Sequence, residues 1–171
     1  VFTTNTTFTS TTVLYGQYYI DDNVILTFDG NMVVDITNCD LVFGKCAGIT
    51  LMNGAKLRSN NSVYRTCDPT KYWRGIVFDN TGDDHRINDC VFKNAIIAND
   101  FINSASMVHG NHYINDYIGL RANNLDLVDL LYEQGITDNE FVIDNPPTLV
   151  SRTRRAPRGH GDHRARRGAR R

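Results

Sequence analysis

Glutamate is almost missing from this 171-residue chain: Glu133 and Glu140 stand against 16 Asp in residues 1–150. The scarcity argues against a helical protein, because Glu favours helices while Asp and Asn hydrogen-bond to nearby backbone and favour turns. No apolar run approaches the roughly 18 residues of a membrane-spanning helix. No charged-then-apolar leader is visible, and the first residue is Val1 rather than Met, so a processed or excised piece is expected. None of the four Cys falls in a Cys-x-x-Cys spacing, which removes zinc ribbons and thioredoxin-type redox motifs. No EF-hand or nonapeptide calcium pattern occurs.

What is present divides unevenly. The net charge of −1 averages two opposite segments. In residues 1–150, nine Lys and Arg face eighteen Asp and Glu. In residues 151–171, nine Arg face only Asp162. Charge must therefore be read by segment. The basic stretch Arg152–Arg171 has no aromatic residue for base stacking and no apolar period, so no specific nucleic-acid partner is expected. Its Arg, Ala, Gly, Pro and His content suits a disordered tail arising from a frameshift or an expression scar. Residues 1–150, 41% hydrophobic residues being the average over the whole chain, are the part able to bury a core.

That part is repetitive. The segments 36–41, 59–64, 87–92, 108–113 and 136–141 align in columns. The first column is Ile36, Ser59, Ile87, Val108, Ile136, and the sixth is Leu41, Tyr64, Phe92, Tyr113, Phe141. Between them the third column holds Asn38, Asn61, Asp89, Gly110 and Asp138, the residue types that most readily take positive φ. The fourth column, Cys39, Ser62, Cys90, Asn111, Asn139, is small or medium and able to hydrogen-bond. An apolar anchor, a left-handed residue, a small polar residue and an aromatic anchor describe a corner between two short strands. The sixth-column residues are 23, 28, 21 and 28 positions apart, as in solenoid coils with loops of variable length. A β-sandwich has no reason to repeat one left-handed residue at one phase of every coil.

A second strand type places Gly-Ile before alternating apolar residues, at Gly48-Ile49 and Gly75-Ile76, with Gly119-Leu120 a third candidate. Upstream, 24–28, Asp29-Gly30 and 32–34 read as strand, turn, strand, within an opening coil spanning residues 1–35. The Thr-rich opening, Thr3 to Thr12, reads as a strand or polar leader, and Leu125–Leu131 as a short helix or a strand. The expected architecture is all-β: a right-handed parallel β-helix of about five coils over residues 1–150.

With Phe2 to Thr9, Gly16 to Phe28 and Cys67 to Phe78, including Trp73-Arg74-Gly75-Ile76, the chain resembles secreted right-handed β-helix proteins of the pectin-lyase-like superfamily, in particular surface or exported proteins of Bacteroidetes-type bacteria. The resemblance covers about residues 2–145 and implies an extracellular or cell-surface location and a carbohydrate-rich setting. It leaves two functions to weigh. One is a non-catalytic surface or adhesion scaffold contacting polysaccharide or cell-surface glycan. The alternative is a polysaccharide lyase or glycoside hydrolase acting on acidic polysaccharide.

For the enzyme, hydrolases of this fold use clustered Asp and a Gly-His-Gly. Gly82-Asp83-Asp84-His85 and Gly159-His160-Gly161 match in kind, but they stand 77 residues apart and the second lies in the Arg-rich tail. Asp79, Asn80, Gly82, Asp83 and Asp84 read as a solvated loop. A lyase would need Ca²⁺ on carboxylates such as Asp83, Asp84 and Asp89, with Arg86 or Arg121 as cationic partner; exposed Asp at coil corners is the simpler reading. His109 and His112 flank Gly110 without a visible third ligand. For the scaffold, Tyr72, Trp73 and Tyr117 are candidates to stack on sugar rings, core packing being their competing role. Cys39 and Cys90 share a column two coils apart, roughly 10 Å, beyond the reach of about 7 Å for a disulfide, and read as small buried residues. Pairing of Cys39 with Cys46, or of Cys67, stays open.

Overall fold

The computed structural model describes residues 1–123 and 135–144, with the side chains of Asp83 and Ala105 excepted. The Leu125–Leu131 stretch and the 151–171 tail lie outside the described residues. Among the described residues fourteen strands form, all pairing in parallel: β1 (Thr6–Phe8), β2 (Thr12–Ile20), β3 (Ile25–Asp29), β4 (Val33–Phe43), β5 (Gly48–Met52), β6 (Lys56–Asn60), β7 (Val63–Thr66), β8 (Gly75–Asn88), β9 (Val91–Lys93), β10 (Ile97–His109), β11 (His112–Ile114), β12 (Ile118–Asn123), β13 (Ile136–Thr137) and β14 (Glu140–Val142). Four of them, β2, β4, β8 and β10, are long because they run through a corner from one sheet to the next. The result is a parallel β-solenoid of about five turns with three stacked sheets. Sheet A stacks β1, β3, β5, the start of β8, the start of β10, and β12. Sheet B stacks the starts of β2 and β4, then β6, the ends of β8 and β10, and β13. Sheet C stacks the ends of β2 and β4, then β7, β9, β11 and β14.

The columns read from the sequence are files in space. Leu41 pairs with Tyr64, Tyr64 with Phe92, Phe92 with Tyr113 and Tyr113 with Phe141. Asn38, Asn61, Asp89, Gly110 and Asp138 all have positive φ, between 47° and 65°. The second strand type is also in register: Gly48 opposes Gly75, Ile49 opposes Ile76, and Leu120 joins that row through Asn99. Asp29-Gly30 does not close a hairpin. It is a coil corner, since β3 and β4 pair with the coils above and below rather than with each other.

The corner chemistry explains the fourth column. A left-handed residue swings its neighbours' backbone groups out of ladder register, so they need other partners. Ser62 Oγ accepts from the Cys39 N–H (3.1 Å) and donates to the Ile36 carbonyl (3.1 Å). One coil pair further along, Asn111 Oδ1 accepts from the Cys90 N–H (2.8 Å) while its Nδ2 donates to the Ile87 carbonyl (2.8 Å). Asn139 repeats this on the Asn111 N–H (3.0 Å) and the Val108 carbonyl (2.8 Å). Ser62, Asn111 and Asn139 thus each restore two backbone bonds on the coil before them.

A second left-handed file, absent from the column reading, runs between sheets A and B: Gly30, Asn53, Asn80 and Asn103 all have positive φ. They follow Asp29, Met52, Asp79 and Ile102, which share one row. Ser104 serves this corner as Ser62 serves the other, accepting from the Thr81 N–H (3.0 Å) and donating to the Phe78 carbonyl (3.3 Å).

The bore is apolar and aromatic. Tyr64, Phe92, Tyr113 and Phe141 stack with centroids 4.8, 5.1 and 4.8 Å apart, and Phe8–Phe28 and Phe78–Phe101 stack on the sheet A side. Such pairs contribute about 0.5–1.5 kcal/mol each beyond burial. Ser59, the weak match in its column, is buried without penalty because Tyr64 brings a hydroxyl into the bore 2.6 Å from it. Cys39 and Cys90 are buried as expected, and all four cysteines are free, which closes the question of Cys39–Cys46 and Cys67 pairing. Burial, then the Asp40 charge, pushes the Cys39 thiol up to about 11, so it stays protonated. Among the described residues, no helix is long and apolar enough to cross a membrane.

Candidate functional site

Strand alternation decides where the candidate catalytic groups point. Gly82-Asp83-Asp84-His85 is not a free loop: it lies within β8, which continues through the corner. His85 turns into the bore and is fully buried, its Nδ1 accepting from the Leu57 N–H at 3.0 Å. An accepting Nδ1 carries no proton, so Nε2 holds it and donates to Thr81 Oγ1 at 2.7 Å. Asp84 turns outward, 3.4 Å from Lys56 Nζ and 3.5 Å from Arg86 Nη2. Desolvation pushes its carboxyl up, but the Lys56 hydrogen bond and the charges of Lys56, Arg86 and Arg58 outweigh it and hold the group below its ordinary value. A carboxyl held ionised this way is a poor general acid. For Asp83 only the backbone is described.

Arg121 sits on a different sheet. On β12 it opposes Asp100 of β10 and grips that carboxylate with two nitrogens, Nε at 2.8 Å from Oδ1 and Nη2 on Oδ2. The Asp100 hydrogen bond raises the guanidinium above its ordinary value, the wrong direction for a base. Asp84 and Arg86 on sheet B and Arg121 on sheet A are therefore not brought together. His109 and His112 do not converge either: His109 meets Asp138 (3.3 Å) and Thr137, and His112 meets Glu140 (2.8 Å). Among the described residues, no group of three or more His, Cys, Asp or Glu is placed to hold a metal ion.

The aromatic candidates do share a place, the corner from sheet C to sheet A. There the chain takes nine steps from Thr66 to Gly75 where the coil before takes five, from Phe43 to Gly48. The added residues form a turn in which Asp68 Oδ1 accepts from the N–H and hydroxyl of Thr70 (2.9 and 2.7 Å). Trp73 ends this loop inside the bore, fully buried, stacked on Phe43 at 4.2 Å and donating from Nε1 to the Lys93 carbonyl at 2.9 Å. It has no face to offer a sugar: of the two roles weighed for Trp73, core packing is the one the structure shows, with two aromatic neighbours and a buried acceptor claiming the ring, and the ligand-platform role is corrected. Tyr72 is half-buried beside it, and Tyr117 is 64% exposed.

Asp116, which sequence reading passed over, binds this corner together. Its Oδ1 accepts from the Ala95 N–H at 2.6 Å, the Tyr117 N–H donates to the Ala95 carbonyl at 2.9 Å, and Ala95 bridges Trp73. Asp116 Oδ2 is buried without a partner. Burial lifts this carboxyl to about 7 against a lowering contribution from the Ala95 bond. Burial also raises the Tyr72 phenol, with the Asp116 charge adding to it. The corner therefore combines an exposed phenol ring, a half-buried one and a carboxyl that titrates near neutral pH. The only signal in the sequence was Asn115-Asp116, which reads as one more turn.

Compared with protein-family models, curated proteins and solved structures, the chain matches none of them.

Proposed function

We propose that this chain is a non-catalytic extracellular scaffold, a right-handed β-helix of the pectin-lyase-like kind on a cell surface or in a secreted assembly, that contacts polysaccharide or cell-surface glycan. One observation carries the reading. Among the described side chains weighed for cleaving a polysaccharide, Asp84 is committed to Lys56 and Arg86, and Arg121 to Asp100, on separate sheets, while an aromatic corner remains with Tyr117 exposed and Tyr72 half-buried. Phenol rings present apolar faces to the C–H surface of a pyranose, and their hydroxyls bond its substituents.

The test is a glycan array read beside an absorbance assay for unsaturated products on acidic polysaccharides. Binding without turnover is expected, with Tyr117→Ala weakening it about tenfold, the scale of one lost aromatic contact of about 1.4 kcal/mol. Turnover that disappears in Asp84→Asn or Arg121→Gln would instead establish the lyase or hydrolase. No glycan bound at any concentration tested would end the carbohydrate reading.

A further inference from the structure

The sequence places asparagine directly before glycine at one position only, Asn53-Gly54. The pair joins β5 to β6 at the corner between sheets A and B. Both residues have positive φ, 54° and 89°, and the Ala55 N–H donates to the Met52 carbonyl at 3.2 Å, so the pair forms the centre of a tight turn. Asn53 is exposed, and its Nδ2 donates to Asp29 Oδ1 on the coil before at 2.7 Å.

The nitrogen that follows separates Asn53 from the other left-handed asparagines. After Asn23, Asn38, Asn80 and Asn94 that N–H is engaged: Val24 donates to the Asp21 carbonyl, Cys39 to Ser62, Thr81 to Ser104 and Ala95 to Asp116. After Asn61, Asn103 and Asn115 comes Ser62, Ser104 or Asp116, each with a Cβ that hinders approach to its own nitrogen. The Gly54 N–H donates to nothing among the described residues. Gly54 also has no Cβ, and a Cβ added there would meet no atom closer than 3.7 Å, so this backbone has both the freedom and the room to turn.

We propose that Asn53-Gly54 is a site of self-modification, at which the folded protein converts its own amide to an acid without an enzyme. The Gly54 nitrogen gives up its proton and attacks Asn53 Cγ. The Cγ–Nδ2 bond breaks, and ammonia leaves with that proton, closing a five-membered imide. Water then opens the ring at either carbonyl, giving aspartate or isoaspartate; in sum one water enters and one ammonia leaves. Either product weakens the corner. Aspartate sets a second carboxylate beside Asp29 where an amide had donated, and like charges on neighbouring strands repel. Isoaspartate inserts an extra backbone carbon between β5 and β6, both of which are held in register by the coils beside them.

The test is to age the whole chain at 37 °C, at pH 7 and pH 9, with peptide mass mapping and isoaspartyl-methyltransferase labelling. Amide loss is expected at Asn53 ahead of every other described asparagine, as mixed aspartate and isoaspartate, faster at pH 9 because the attacking nitrogen must be deprotonated. The melting temperature of the aged protein should fall. Asn53→Gly, with the residue type that Gly30 supplies at the matching corner, should fold and age without either change. Asn53→Asp should melt below wild type before any ageing. Asn53 that keeps its amide in the native protein while losing it in the urea-unfolded chain would overturn the proposal, and the wild-type map decides this whether or not the variants fold. Amide loss spread evenly over Asn38, Asn80 and Asn94 would overturn it too.

Discussion

At the scale of single residues, the corner positions carry the sharpest consequences. Gly110 has φ +65°, and a Cβ there would meet Asp89 Oδ1 at 2.5 Å. Gly110→Val adds a β-branched side chain in the left-handed region and should lower stability by about 1–3 kcal/mol, read from thermal melts, whereas Gly110→Asn should lose much less. Asn already occupies the equivalent corners at Asn38 and Asn61. Equal melting of wild type and the Val variant would refute the corner's strain. Phe92 is fully buried between Tyr64 and Tyr113, and Phe92→Ala should cost about 3–5 kcal/mol in denaturant unfolding, through lost burial and the cavity left behind. A loss below about 1 kcal/mol would place Phe92 outside the bore. Asp116 sets a pH dependence of its own. Its folded value of about 7 lies above the ordinary 3.8, so the folded state holds the proton more tightly than the unfolded chain does. Its contribution is complete below about pH 4 and declines as pH rises to about 7, at up to about 1.4 kcal/mol per unit. Asp116→Asn removes that slope and should leave the protein more stable than wild type at pH 8; a parallel pH profile for the two would show that the carboxyl is not held neutral.

At the scale of elements, the corners served by Ser62, Asn111, Asn139 and Ser104 depend on one side chain reaching back to the previous coil. Asn111 is fully buried and satisfies the Cys90 N–H and the Ile87 carbonyl at once. Asn111→Ala orphans both and should cost about 1–3 kcal/mol per group left unpaired. Asn111→Ser should recover part of the loss, because Ser62 and Ser104 perform the same service with a hydroxyl. Comparison of the two variants by chemical denaturation checks this; equal losses would mean that volume, not hydrogen bonding, sets the cost. The corner between sheets A and B was written in the chain too, as Phe78-Asp79-Asn80-Thr81 and Phe101-Ile102-Asn103-Ser104, the same order of apolar anchor, left-handed Asn and small polar residue. It is harder to read because Asn53 is followed by Gly54 and not by a small polar residue, so the motif does not repeat on every coil. The first coil's corner at Gly16 was hidden differently: it is one residue short, so Leu14 opposes Ile36 while Gly16 opposes Cys39.

At the scale of the whole molecule, ion pairs run along the outside of the stack and tie coil to coil. Asp40 accepts from Gln17 of the coil before (2.9 Å) and bidentately from Arg65 of the coil after (2.9 Å each). The Arg65 hydrogen bond, against a smaller opposing effect of burial and with help from Gln17, holds its carboxyl below the ordinary value. A folded value below the unfolded one gives stability that is present above the ordinary carboxylate range and lost as pH falls through the folded value. Acid melts of Asp40→Asn should therefore show a shallower loss below about pH 4 than wild type. A melting temperature unchanged by the substitution at pH 7, where the pair is fully formed, would mark this pair as one of the many surface contacts that contribute nothing measurable.

The sequence by itself determined the solenoid, because the repeat is local chemistry: a residue tolerant of positive φ, a small hydrogen-bonding follower and an aromatic anchor can be recognised wherever they recur. Ser59 looked like a flaw in that pattern and was not one, since Tyr64, five positions on, brings its hydroxyl within 2.6 Å of the serine inside the bore. Only the tertiary structure decided what the side chains are free to do. Whether Asp84 and Arg121 stand alone or in ion pairs, whether Trp73 faces solvent or Phe43, and whether Asp116 keeps its proton depend on which residue lies one coil away, some 21 to 30 positions along the chain. Burial and charge are properties of that neighbourhood, and linear spacing does not contain them.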